Sequence, residues 1–175
     1  RSVVQILIYY YMKNTGRPTT VPDIEEKDIY APAPEEYKSM YIDCPNKPLY
    51  AFGHGLSYTD FKYSGIRLSS GKMTGDGSLT ASVTVSNKGK VAGSEVVQLY
   101  IRDLVGSVTR PVKELKAFKK ISLAPGESAD VEFEITPEML SFWRADMTFG
   151  TESGMFRLFI GTSSDDVREA EFELE

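Results

Sequence analysis

The sequence predicts an all-β protein, an antiparallel β-sandwich of roughly seven strands, preceded by an extended N-terminal segment left over from a missing α/β domain. Three observations carry this. From Ser57 onward, apolar and polar residues alternate with the period of two that a half-buried strand requires, because successive side chains leave opposite faces of a sheet. Turn-forming residues separate the alternating runs at strand-length intervals. Residues 1–52 show neither feature.

In that first stretch, Val3 to Tyr11 is almost continuously apolar, the pattern of a strand covered on both faces inside an α/β sheet. No helix or partner strand for such a sheet follows it. Pro18, Pro22, Pro32, Pro34, Pro45 and Pro48 instead punctuate a polar run, longer than the about 12 to 15 residues usual for a loop within a compact domain. The expected organisation is therefore 1–18 as the last strand region of a truncated α/β domain, 19–56 as a proline-rich linker wrapping a larger parent, and 57–175 as the sandwich. A strand parted from its sheet has free edges, so Val3 to Tyr11 is expected to seek a partner, including a second copy of the chain.

Within the sandwich, Tyr58 to Leu68 changes phase, since Phe61 and Tyr63 share one register and Ile66 and Leu68 the other. Ser64-Gly65 accordingly marks a bulge or bend. Gly71 to Gly77 reads as a hairpin loop. Leu79, Ala81, Val83 and Val85 then face inward against Thr80, Ser82, Thr84 and Ser86, and Asn87-Lys88-Gly89 ends the run. Val97, Leu99 and Ile101 repeat the period. Pro111 suits a strand start or edge. Lys113 and Glu114 point to opposite faces, so each is expected to be solvated or paired across strands rather than with the other.

Pro125-Gly126 turns the chain into Val131, Phe133 and Ile135, which alternate with Asp130, Glu132 and Glu134. One helical turn is expected at Pro137 to Leu140, with Thr136 as N-cap and Pro137 in the first helical position. Phe156, Leu158 and Ile160 lead to a turn at Gly161, Ser163 and Ser164. Ala170, Phe172 and Leu174 close the chain against Glu169, Glu171, Glu173 and Glu175.

Composition excludes several function classes. A formal net charge of −5 without a Lys/Arg cluster argues against nucleic acid and against an anionic membrane as partners. The Val3 to Tyr11 run is far shorter than the roughly 20 residues that span a bilayer, and it lacks the flanks of a signal peptide. Cys44 is the single cysteine and His54 the single histidine, which leaves no intrachain disulfide and no thiolate or His-pair metal site. No cofactor motif is present: Gly71 to Gly77 has no Walker lysine-hydroxyl pair, and no Asp-rich loop has calcium spacing.

Catalysis finds little support. Hydrolysis by a pair of carboxyl groups needs two of them close together, about 5 to 5.5 Å apart when one acts as nucleophile. The alternating acids belong to solvent faces, and Asp43, Asp60, Asp103, Asp146 and Glu152 lie in loops or at strand ends, where carboxylates cap turns. A serine triad would depend on His54, and no Gly-x-Ser-x-Gly elbow occurs. No residue is assigned a catalytic role. For binding, Tyr9, Tyr10, Tyr11, Phe142, Trp143 and Phe149 would stack on sugar rings if exposed, with core packing or inter-domain contact as the weightier reading. Val96, Tyr100, Met155 and Phe159 place apolar groups on what should be the outer face of their strands, a candidate inter-domain contact.

Particular residues also carry a resemblance. Pro48-Leu49-Tyr50-Ala51-Phe52-Gly53-His54-Gly55-Leu56-Ser57-Tyr58-Thr59 resembles the joint before the final domain of family 3 glycoside hydrolases, β-glucosidase-like enzymes. Arg1-Ser2-Val3 through Tyr10 and Asn14-Thr15-Gly16-Arg17-Pro18 look like the end of that family's second, α/β sandwich domain. Val4 and Leu7 stand where the family pattern has Gly and Pro, making this strand more hydrophobic. Arg110-Pro111-Val112-Lys113-Glu114-Leu115-Lys116-Ala117-Phe118, Leu123-Ala124-Pro125-Gly126-Glu127, Leu140-Ser141-Phe142-Trp143 and Gly154 to Ser164 resemble its fibronectin type III-like domain.

The resemblance implies a fibronectin type III/immunoglobulin-like sandwich serving as non-catalytic C-terminal scaffold of an exported, periplasmic or secreted, β-glycosidase. It implies the catalytic domains of the same parent as partners, and catalytic carboxylates upstream of Arg1. An independent carbohydrate-binding or adhesion module is the alternative. In the joint itself, Gly53 and Gly55 are expected to permit a sharp turn or close approach, with Phe52, Leu56 and Tyr58 as apolar anchors.

Overall fold

The computed structural model describes residues 48–175. The strand expected at Val3 to Tyr11, the linker up to residue 47, Asp43 and Cys44 lie outside the described residues. Two sheets pack face to face, with one four-residue helix, α1 (Pro137–Leu140), beside them.

The first sheet is built on β4 (Leu79–Asn87). One edge pairs antiparallel with β7 (Ser128–Ile135), from Leu79 opposite Ile135 to Ser86 opposite Ser128. The other carries β1 (Phe61–Tyr63) and β2 (Arg67–Leu68). Tyr63 stands opposite Val85 and Arg67 opposite Ser82, so residues 64–66 occupy an interval that only 83 and 84 fill on β4. This extra residue is the expected bulge, and it reverses the phase so that Phe61, Tyr63, Ile66 and Leu68 all pack on the core. Ser64 fixes it: its N–H donates to the Thr84 carbonyl and its hydroxyl accepts from the Thr84 N–H, both at 2.9 Å.

The second sheet runs β3 (Lys72–Met73), β11 (Val167–Leu174), β10 (Gly154–Gly161), β5 (Gly93–Asp103), β6 (Glu114–Leu123), with β3 parallel to β11 and the other pairs antiparallel. β3 corrects the reading of residues 71–77 as a plain hairpin loop. Met73 is buried and pairs with Leu174, so the segment crosses from the first sheet to the edge of the second before returning to β4. A lone apolar side chain among glycines gave no period by which to detect a two-residue strand. A short ribbon, β8 (Phe142–Trp143) with β9 (Phe149–Gly150), was likewise not expected.

The alternating residues form one core between the sheets, including Leu79, Val83, Leu99, Phe133, Phe156, Leu158 and Phe172. Phe156 and Phe172 face each other across β10 and β11 and stack at 5.5 Å. Ala124-Pro125-Gly126-Glu127 forms a turn closed by Glu127 N–H to the Ala124 carbonyl at 3.1 Å. Gly126 supplies the φ of 78° that the third position of a type II turn demands. At α1, Thr136 takes the N-cap position in extended conformation without a side-chain cap bond, while the Ser141 hydroxyl donates to the Pro137 carbonyl.

Candidate functional site

The residues that resemble an inter-domain joint lie across the outer face of the second sheet, where they are fixed by polar contacts. Ala51-Phe52-Gly53-His54 turns sharply, with His54 N–H donating to the Ala51 carbonyl at 3.0 Å and Gly53 at φ 79°. A Cβ on Gly53 would sit 2.0 Å from Gln98 Oε1, so both the turn and the close approach require glycine there. Gln98 is buried in an outward position of β5, and its amide donates to the carbonyls of Gly53 and Thr162. The Tyr100 hydroxyl donates to Gln98 Oε1 at 2.5 Å, and the Phe52 carbonyl accepts from Ser164 N–H at 2.9 Å.

A second anchor lies at the other end of the joint. Buried Thr59 donates its hydroxyl to Asn87 Oδ1 at 2.6 Å. Asn87, wholly buried, also accepts from Gly89 N–H and donates to the carbonyls of Val91 and Leu123, while its backbone bonds Gly126 and Glu127. One amide therefore ties the joint to the turns after β4 and β6. Sequence reasoning took Asn87 only as a turn former and did not single out Gln98. The available signal for Gln98 was a polar residue between Val97 and Leu99 in an otherwise apolar stretch.

The expected apolar anchoring is corrected. Leu56 and Tyr58 are 94% and 101% exposed and Phe52 40%, because buried polar bonds hold the backbone and leave these side chains outside. Beside them lies a groove of about 620 Å³, lined by Phe52, Leu56, Phe61, Val96, Leu115 and Phe118. Glu95 borders it, and burial pushes its carboxyl above the ordinary range. Buried Tyr63 Oη faces that carboxylate without a well-formed hydrogen bond; burial, then Glu95, drives the phenol's pKa up.

The patch expected from Val96, Tyr100, Met155 and Phe159 is divided. Val96 and Met155 are exposed at 38% and 41%, whereas Tyr100 and Phe159, cross-strand neighbours, are 0% and 3% exposed. The joint covers the first of these, and Lys113 lies over the second, its ammonium 4.7 Å from the ring centroid and donating to the Ser164 carbonyl. Lys113 is thus half-buried rather than solvated, and burial lowers its pKa. Glu114 pairs with Arg110 and Lys116 and not with Lys113.

Among the strand-end acids, Asp60 is exposed beside the groove, while Asp103, Asp146 and Glu152 gather around the 103–110 loop. Ser107 bonds the Glu152 carboxylate through its hydroxyl and N–H, and Thr148 bonds Asp146 in the same way; these donors hold both carboxyls below the usual range. Burial instead raises Asp103. Among the described residues, no group of three or more His, Cys, Asp and Glu is placed to hold a metal, and no helix is long and apolar enough to cross a membrane. Phe142 is core, with Arg110 over its ring at 4.1 Å, whereas Trp143 and Phe149 are exposed at 63% and 56%.

Comparison with known proteins gives this geometry a context. Residues 95–164 match the fibronectin type III-like domain family. Over 175 residues the chain is 48% identical to a periplasmic β-glucosidase of Salmonella typhimurium, covering 99% of this chain and 21% of that protein. It is 49% identical to a putative β-xylosidase of Formosa agariphila, covering 100% and 20%. Among solved structures, a mutant β-glucosidase from Listeria innocua in complex with laminaribiose is similar with a TM-score of 0.80 and 42% identity, over 96% of this chain and 22% of that one. The chain thus spans about a fifth of the length of the curated relatives it matches. The sandwich, the order of its motifs and the identity along its whole length agree, and the chain belongs to the family 3 glycoside hydrolases, as the C-terminal part that carries their fibronectin type III-like domain.

Proposed function

We propose that this chain is the non-catalytic scaffold domain of a β-glycosidase that hydrolyses O-glycosyl bonds in β-linked oligosaccharides. In this reading it docks through the joint and the groove beside it against the catalytic domains of the same parent. One observation carries this. The joint is immobilised by buried hydrogen bonds at Gln98, Tyr100 and Thr59, yet it presents Leu49, Leu56 and Tyr58 at 89%, 94% and 101% exposure. Ordering a backbone while leaving large apolar side chains in water serves no stability purpose within the domain, and such surfaces mark contacts. Val96 lines the groove and extends the same contact, with Met155 as a second exposed element of that sheet's outer face.

The division into 1–18, 19–56 and 57–175 belongs to the same proposal: the linker would run over the parent and reach the sandwich at Phe52 and Gly53, which bond Ser164 and Gln98. Periplasmic or secreted location fits the periplasmic relative. Pairing of two copies through Val3 to Tyr11, if it occurs in the 175-residue chain, is on this reading a consequence of parting that strand from its sheet and not a biological assembly, and a monodisperse monomer in light scattering would count against such pairing. The decisive experiment introduces Leu56→Asp and Tyr58→Glu into the full-length enzyme and, separately, into the 175-residue chain. The enzyme should lose thermal stability or activity while the chain keeps its melting temperature. An unaffected enzyme would sink the docking model.

A further inference from the structure

We propose that the β8–β9 ribbon is a contact site for neutral β-linked oligosaccharide, with the rings of Trp143 and Phe149 as the stacking surface. The two residues stand opposite each other across the ribbon, their ring centroids 5.5 Å apart, and both are more than half exposed. Phe142 lies beneath, buried under the Arg110 guanidinium, so the ribbon is seated on the sandwich by its other side.

The loop that closes the ribbon is hydrogen-bonded across its base and carries a residue in the left-handed region. Met147 N–H donates to the Arg144 carbonyl at 3.0 Å and Arg144 N–H to the Thr148 carbonyl at 2.9 Å, a type I turn followed by a left-handed residue. That residue is Met147, at φ 64° the only non-glycine with positive φ among the described residues, and its side chain is 77% exposed. Glycine would fit this position without strain. A bulky apolar residue held there points to use of the side chain rather than to folding.

The charges around the rings decide between ligand classes. Arg144 donates to the Thr148 hydroxyl and lies near Asp146, Asp146 accepts from Thr148, and both Glu152 oxygens accept from Ser107. The rim thus sets two carboxylates against one guanidinium, all three already hydrogen-bonded, so an anionic ligand is disfavoured and a neutral hydroxylated one meets acceptors that are already ordered. The carboxylates nevertheless keep spare lone pairs that accept hydrogen bonds from hydroxyls. Apolar ring faces beside hydroxyl acceptors match a pyranose, which offers C–H groups on one face and O–H groups at its edge.

A protein partner fits less well. A ribbon of two-residue strands is far smaller than the roughly 800 Å² per side of a stable interface. The docking groove lies at the other end of β5, beside Ser94 and Val96, whereas the ribbon adjoins the loop that follows Asp103. The choice of a β-linked sugar rests on the glycosidase reading above.

Trp143 is the only tryptophan in the sequence, so intrinsic fluorescence reports on the site directly. Titration of the 175-residue chain with laminari-, cello- and xylo-oligosaccharides should give a saturable emission change in the millimolar range with at least one of them. Trp143→Ala, followed by NMR shifts elsewhere on the ribbon, should weaken binding at least tenfold, and Phe149→Ser should do so without removing the probe. Met147→Gly should preserve the fold and reduce affinity more modestly. No saturable change in the wild type at tens of millimolar, or undiminished binding in Phe149→Ser, would overturn the site. Either result leaves the docking model standing, because that model is read from the stability of the full-length enzyme.

Discussion

The two outer faces of the sandwich follow the same alternation and meet different fates. On the β4–β7 face the outward positions are Thr80, Ser82, Thr84, Ser86, Asp130, Glu132 and Glu134, and they meet only polar neighbours of the same sheet and solvent. Arg67 bridges Thr84 and Asp130, and Ser86 meets Ser128. On the β5–β10 face the outward positions are Val96, Gln98, Tyr100, Met155, Arg157 and Phe159, and the joint and Lys113 cover the middle of the row. Alternation reports which side chains face the core. It does not report whether the opposite side faces water or another layer of chain.

Substitutions can break this contrast in order of expected effect. Asn87→Ala would strand the Thr59 hydroxyl and the Leu123 carbonyl in buried positions and the Gly89 N–H and Val91 carbonyl in part-buried ones. A loss of at least about 3 kcal/mol is expected in urea unfolding of the chain. Gly53→Ala forces a Cβ into Gln98 at positive φ, for which about 2 to 3 kcal/mol is expected. Tyr100→Phe removes one buried donor to Gln98 and should cost about 1 kcal/mol. Ser82→Ala, on the polar face, should stay within about 0.5 kcal/mol. A Ser82 effect as large as that of Tyr100 would erase the distinction between the faces.

Because Tyr100 and Phe159 are buried, a charge placed there cannot probe the expected contact. Tyr100→Glu or Phe159→Glu would unfold the isolated domain rather than report on docking, which is why Leu56 and Tyr58 serve that purpose.

The finest test concerns pH. Burial raises the Glu95 carboxyl, so just above its ordinary value of 4.5 the folded chain still holds a proton that the unfolded chain has released. Stability should therefore fall as pH rises through that window, and Glu95→Gln should flatten this part of the melting profile. An identical slope in the variant would remove Glu95 as its cause.

Much of the fold was legible in the residues. Counting β1 and β2 as one bulged strand, six of the seven long strands lie where the period-two runs stand, and Ser64 sits in the bulge that the phase change marked; β6, whose residues do not alternate in burial, showed no such run. The short elements were not legible, because β3, β8 and β9 have two residues each and no period can be read from two positions. Of the candidate contact, Val96 and Met155 are exposed while Tyr100 and Phe159 are sealed.

What the sequence determined by itself is therefore local: strands, turns, the bulge and the inward faces, all set by side-chain periodicity and backbone preference. Tertiary structure alone decided that Gln98 and Asn87 are hubs, that the joint is held by polar bonds, and that Trp143 and Phe149 reach the surface. Those outcomes depend on which distant segments meet. Gln98 lies 45 residues from Gly53 and 64 from Thr162, a separation over which local pattern carries no information.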